Sequence, residues 1–236
     1  MRPAVFAYAG GVIRDHATLL TFIAADAALA TLLAEARGRD DGDRSHDLAH
    51  ALRVALWTVR LGGDRVAARE AVAAALLHDA VNPPKSGPER ARASEMAAAL
   101  ATRRLGELGF APAAVTRIAA AIRDHSWSRG AVPGDALGCA LQDADRLEAL
   151  GAIGLLRCIE TGARMGAEWF DPDDPWAASR PLDDHAYSLD HFFAKLLLLP
   201  ASMRTGAGRR EAARRAGLLR RFVAHLGEEI GKPPPR

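Results

Sequence analysis

Residues 70–82 read EAVAAALLHDAVN, and this stretch decides the architecture. The turn Ala73–Leu77 is wholly apolar, and alanine and leucine are strong helix formers, so a helix runs up to His78 and Asp79. A helix lying on a protein surface would not place a histidine and an aspartate directly after such a run unless its end met something polar. Burying a charged carboxylate there costs several kcal/mol unless it is paired or metal-bound. Taken alone, the doublet is a weak signal and is better explained as a satisfied core histidine beside a helix-terminal aspartate.

Working outward, apolar residues recur at helical spacing along almost the whole chain and strand-like alternation is nearly absent, which makes the fold class all-α. The helix that carries the doublet starts at Asp64, a good N-cap, and stops at Pro83-Pro84, because the residue before a proline is pushed out of the α region. The spacing predicts further helices over Ala17–Arg37, His46–Leu61 (ended by Gly62-Gly63), Glu89–Leu108, Pro112–Asp124, Asp135–Leu150, Ala152–Arg164, Leu189–Leu199 and Arg209–Ile230. Between Ala152–Arg164 and Leu189–Leu199 lie residues 169–184, WFDPDDPWAASRPLDD, with three prolines and five aspartates. A connection of that length is uncommon unless it serves a site. The expected organisation is a single bundle of roughly eight or nine helices. Residues 1–40 form an N-terminal segment and first helix packed on it, 41–231 the domain proper, and 232–236 a fraying tail.

Composition excludes several function classes. The 236 residues are 49% hydrophobic and 25% charged, ordinary for a folded domain, and their number suffices for a core without disulfide staples. Net charge is +2, from 31 basic and 29 acidic residues, so the chain as a whole is no polycation built for nucleic acid. Of the basic residues 28 are arginine, which with the abundant alanine reads as codon bias in a GC-rich genome and marks most arginines as solvated surface. Cys139 and Cys158 form no CxxC pair, which points to a reducing cytoplasm. The uncharged apolar stretch Pro3–Ile13 is shorter than the roughly 18 residues of a membrane span and is broken by Gly10-Gly11.

Two imidazoles, His50 and His78, and two carboxylates, Asp79 and an aspartate of the 143–145 pair, come from three helices and suit a mixed N/O site for a divalent transition metal. With these residues in place the chain resembles the HD-domain superfamily of metal-dependent phosphohydrolases, whose pattern is H…HD…D on an all-α fold. The segments HDAVNPPKSGPERARAS, QDADRLEALGAIGLLR and RPLDDHAYSLDHFFAKLLLLPASMRT are similar to a compact bacterial subfamily of nucleotide phosphohydrolases, over about Ser45 to Glu229. The resemblance implies His50, His78, Asp79 and Asp145 as metal ligands; the residues alone leave Asp143 and Asp145 open. It also implies a single metal, since histidines beyond His125 are missing between Asp79 and Asp145. Val81-Asn82 stand where stringent-response hydrolases of the superfamily carry Glu-Asp, which argues against that activity.

The expected chemistry is hydrolysis of a nucleotide or related phosphate or pyrophosphate ester, with Mn, Fe, Co, Ni or Zn as the metal and Mg less comfortable on two histidines. Asp79 takes the proton of the attacking water and His125 serves as general acid to the leaving group. Lys85, a rare lysine in an arginine-rich chain, is expected to grip a phosphate, with His46, Arg53, Asn82, Arg90 and Arg146 as further substrate contacts. Two other readings stand beside the hydrolase. One is a regulator that binds nucleotide or metal at the same site without turnover. The other is a nucleic-acid binder using Arg209, Arg210, Arg214, Arg215, Arg220 and Arg221, weakened by the lack of interleaved aromatics. The expected partner is a small anionic substrate, with no membrane, and the expected state a monomer or homodimer.

Overall fold

The computed structural model describes residues 7–8, 11–39, 47–81, 83, 89–126 and 129–234. Its first element is a small antiparallel ribbon, β1 (Ala7–Tyr8) and β2 (Gly11–Val12), that helical periodicity does not foretell. The expected helix over Ala17–Arg37 is two helices, α1 (His16–Ala24) and α2 (Ala27–Gly38), turned by 117° at the break. The reason is local. Asp26 is an N-cap in extended backbone whose carboxylate accepts from the amides of Ala28 and Leu29, and it is also held by Arg69 Nε at 2.7 Å. Two starts are thereby encoded where apolar spacing alone reads one.

The helix α3 (Leu48–Gly62) begins at Asp47, whose carboxylate accepts from the His50 amide, and ends at Gly63 with φ +60°, a conformation glycine adopts without strain. Asp64 is not the cap of the next helix: it lies in a 3-10 turn, Gly63–Arg65, and α4 (Ala68–Leu77) starts after Ala67 without a side-chain cap. Every residue from Ala71 to Leu77 is buried, so α4 is a core helix rather than an amphipathic one. It packs against α2, α3, α5 (Ala93–Glu107) and α6 (Pro112–Asp124), and its small alanines let these neighbours approach. A 3-10 turn, Arg90–Arg92, precedes α5, which therefore starts later than Glu89. The helix α7 (Ala136–Leu147) is started by Asp135, whose carboxylate accepts from the Gly138 amide.

The described chain divides into two compact units after Asp145. Within the second, α8 (Gly151–Met165) packs on α9 (Ser188–Ala194) and on α11 (Gly206–Glu229), and α11 also packs on the short α10 (Leu199–Ser202). The expected helix Leu189–Leu199 is broken at Lys195, so that α9, a 3-10 turn over Leu196–Leu198 and α10 follow one another. The aspartate-rich stretch before α9 is knotted around a buried carboxylate. Asp190 accepts from Arg180 Nη1 (2.5 Å), Arg180 Nη2 (3.0 Å) and the Asp183 amide (2.8 Å), while the Arg180 guanidinium lies over the Tyr187 ring. Asp171 and Asp174 accept backbone amides two to five residues on, the turn chemistry expected of aspartate. Lys232, expected in a fraying tail, instead donates to the carbonyls of Pro172 and Asp173, and its own carbonyl accepts from Trp176 Nε1. No single helix among the described residues is long and apolar enough to cross a membrane.

Candidate metal centre

Three helix ends and one helix interior deliver the polar cluster of the first unit. His50 sits in the first turn of α3, fixed there by the Asp47 cap. His78 is the residue that closes α4, followed directly by Asp79, and His125 closes α6 in the same way. Asp145 projects from α7. Among the described residues two sets of donors lie close enough to share an ion: His50, His78 and Asp145, and His78, Asp79 and His125.

The separations around the two imidazole nitrogens are those of neighbouring ligands of an ion. His50 Nε2 and His78 Nε2 are 3.2 Å apart, and His78 Nε2 lies 3.2 Å from Asp79 Oδ2 and 3.9 Å from Asp145 Oδ1. His50 Nε2 lies 3.6 Å from Asp79 Oδ2 and 3.5 Å from Asp145 Oδ1. Bonds of about 2.1 Å place ligands about 3.0 Å apart at right angles and about 3.4 Å apart at tetrahedral angles. Two imidazole nitrogens facing each other at such range in a buried site have no reason to meet unless a cation or proton lies between them. The His78 ring is oriented by the backbone: its Nδ1–H donates to the Ala75 carbonyl at 2.7 Å, which leaves Nε2 facing the cluster.

Electrostatics report the same crowding. Burial pulls the His78 imidazolium pKa down, but the Asp79 carboxylate, with help from Asp145, outweighs it and pushes the value up to about 9. Burial likewise raises the Asp145 carboxyl, and the imidazoles of His125, His78 and His50 outweigh that and hold it below the usual carboxylate range. The carboxylates that favour a proton on His78 would favour a divalent ion in the same place, which would have to displace that proton.

Sequence reasoning named the four residues that converge here, and His125, assigned to proton donation, joins them at the same centre. Asp143, the alternative to Asp145, is fully buried two residues earlier on α7, about 200° round the helix. Arg53 lies half-buried one turn beyond His50 on α3. Arg146 is buried and donates from Nη1 to the Ser202 carbonyl at 2.7 Å, within the second unit. His46, Asn82, Lys85 and the side chain of Arg90 lie outside the described residues. One residue the sequence did not single out is Gln142, whose Nε2 donates to the carbonyls of Asp124 (2.8 Å) and Ala131 (3.0 Å) and so ties α7 to the peptide before His125. Its signal was a buried amide on an apolar helix face, visible only once the facing residues are known.

The HD domain family profile matches residues 47–150, a span that contains all five clustered residues. A Bacillus subtilis protein, YpgQ, is 30% identical over 196 residues, covering 80% of this chain and 87% of its own. The chain belongs to the HD-domain superfamily. The crystal structure of YpgQ in complex with ADP superposes with a TM-score of 0.66 at 23% identity, over 85% of this chain and 97% of that one. An HD-superfamily hydrolase from Bacillus thuringiensis superposes with a TM-score of 0.63 at 27% identity, over 86% and 96%. The all-α architecture expected from periodicity is thus the architecture of this superfamily, whose members bind a divalent metal on such a cluster.

Proposed function

We propose that this HD-superfamily protein hydrolyses a phosphate or pyrophosphate ester of a nucleotide or a related small anion. The observation that carries the proposal is that Asp79 and Asp145 each lie 3.2–3.9 Å from both His50 Nε2 and His78 Nε2, which are themselves 3.2 Å apart, with both imidazoles buried. Those four residues would hold the metal, with Mn, Fe, Co, Ni or Zn suiting imidazole and carboxylate better than Mg. A divalent ion bound there supplies hydroxide near neutral pH and polarises a phosphoryl oxygen.

The chain's own residues supply the rest. Asp79 presents two oxygens to the centre and can receive the proton of the attacking water through one of them. Arg53, one turn from His50, offers a fixed positive charge for a substrate phosphate, and the sequence adds Lys85, Arg90, His46 and Asn82 to that task. Nucleotide as the substrate class draws support from the ADP held by the YpgQ structure. Cys139 and Cys158 form no disulfide, which supports the cytoplasm as the compartment.

The test is metal analysis of the purified protein, followed by nucleoside mono-, di- and triphosphates with phosphate and pyrophosphate detection under each divalent metal. Release that disappears in His78→Ala and Asp79→Ala supports the proposal. Tight nucleotide or metal binding without turnover under every metal would make the protein a regulator that keeps the HD site.

A further inference from the structure

We propose that His125 is a fifth donor to the metal, closing the centre from the α6 side rather than serving as a general acid. The inference rests on the reading of His50, His78, Asp79 and Asp145 as the metal centre. His125 is built as His78 is built. Each is the first residue beyond the end of a helix, each is buried, and each ring is anchored through Nδ1 to a carbonyl three residues back: Ala75 at 2.7 Å for His78, Ile122 at 2.6 Å for His125. A carbonyl only accepts, so Nδ1 carries the hydrogen and Nε2 is left to offer its lone pair.

That Nε2 faces the cluster. It stands 3.6 Å from Asp79 Oδ1, the oxygen opposite the one that faces His50 and His78. This is longer than an N–H···O hydrogen bond but suits two ligands of one ion, which about 2.1 Å bonds hold roughly 3.0 Å apart at right angles and up to roughly 4.2 Å apart when opposite. The His78 and His125 rings meet edge-on with centroids 5.0 Å apart, and His78, Asp79 and His125 each offer a donor atom within 4.8 Å of the others, as His50, His78 and Asp145 do, with His78 common to both sets. A general acid must carry a proton on Nε2 and reach the leaving group, yet this Nε2 is turned inward among the donors. Gln142 reinforces the placement by binding the Asp124 carbonyl, immediately before His125, from α7. Two carboxylates balance the charge of a dication, and three imidazoles select borderline transition metals over Mg.

The test uses the full-length protein loaded with Co2+, reading the visible d–d spectrum and the affinity by chelator competition. His125→Ala should weaken Co2+ binding by at least about tenfold, the loss caused even by an outer partner of a ligand, and should change the band positions. Added imidazole should restore the wild-type spectrum in that variant. If His125→Ala fails to fold by circular dichroism, His125→Gln is read in the same way. An unchanged spectrum with affinity within about twofold of wild type would overturn the assignment, whatever happens to the rate. His78→Ala separates the two levels. If it loses Co2+ while His125→Ala does not, only the fifth ligand is wrong; if both keep it, the centre itself is misplaced.

Discussion

Replacing Asp190 by Asn should unfold the aspartate-rich connection that leads into α9, and the size of the effect follows from its bonds. The carboxylate is fully buried and accepts three hydrogen bonds, two from the Arg180 guanidinium and one from the Asp183 amide. Asn removes the charge and substitutes a donor for one acceptor, so Arg180, with its side chain 19% exposed, keeps a cation facing an amide. Breaking one partner of a buried pair costs about 3–5 kcal/mol, and water reaching Arg180 favours the lower end, about 3 kcal/mol. At about 2–4 °C per kcal/mol for a chain of this size, Tm should fall by roughly 6–12 °C. The control is Asp184→Asn, whose pair with His191 is more exposed and should be worth below about 1 kcal/mol. Differential scanning calorimetry gives the Tm values. Limited proteolysis should show new cleavage between residues 170 and 187 in the Asp190 variant alone. An Asp190→Asn protein that melts within about 2 °C of wild type, or no lower than Asp184→Asn, would refute the view that this carboxylate organises the segment.

Three further outcomes are expected. Saturating Mn2+ or Co2+ at 100 times its Kd should stabilise the protein by about 2.7 kcal/mol, a Tm rise of roughly 5–11 °C that a chelator reverses and His78→Ala abolishes; a shift retained in that variant would place the ion elsewhere. Asp145→Asn should lose metal uptake far more severely than Asp143→Asn, measured by metal content after gel filtration, and the reverse order would move the last ligand by two residues. Asp26 has a depressed carboxyl pKa, because Arg69 and the amides of Leu29 and Ala28 together outweigh its partial burial. A depressed pKa means stability present above the unfolded value of 3.8 and lost as pH falls through the folded one. Asp26→Ala should therefore cost about 1 kcal/mol in urea melts at neutral pH, and the gap to wild type should shrink in acid; a gap independent of pH would remove the charge from the explanation.

The sequence by itself determined the class of fold and the identity of most of the centre. Ala71–Leu77 is apolar on every side, and such a helix can only be a core helix, so the His78-Asp79 doublet at its end had to meet polar partners in the interior. Helical periodicity carries that information because it is local. Other features depend on residues far apart in the chain, and only the tertiary structure decided them. The Asp26 cap that splits α1 from α2 is local, but the Arg69 that also holds its carboxylate comes from 43 residues away. The preference for Asp145 over Asp143 is a matter of which side of α7 meets His50 and His78, and residue types two apart do not encode it. The anchoring of His78 and His125 through Nδ1 is written in a carbonyl three residues back, yet it matters only because the folded helices aim both free nitrogens at one point. Likewise, the aspartate-rich loop reads in sequence only as a long connection, and the structure shows it closing on Asp190, buried in the following helix with its charge matched by Arg180.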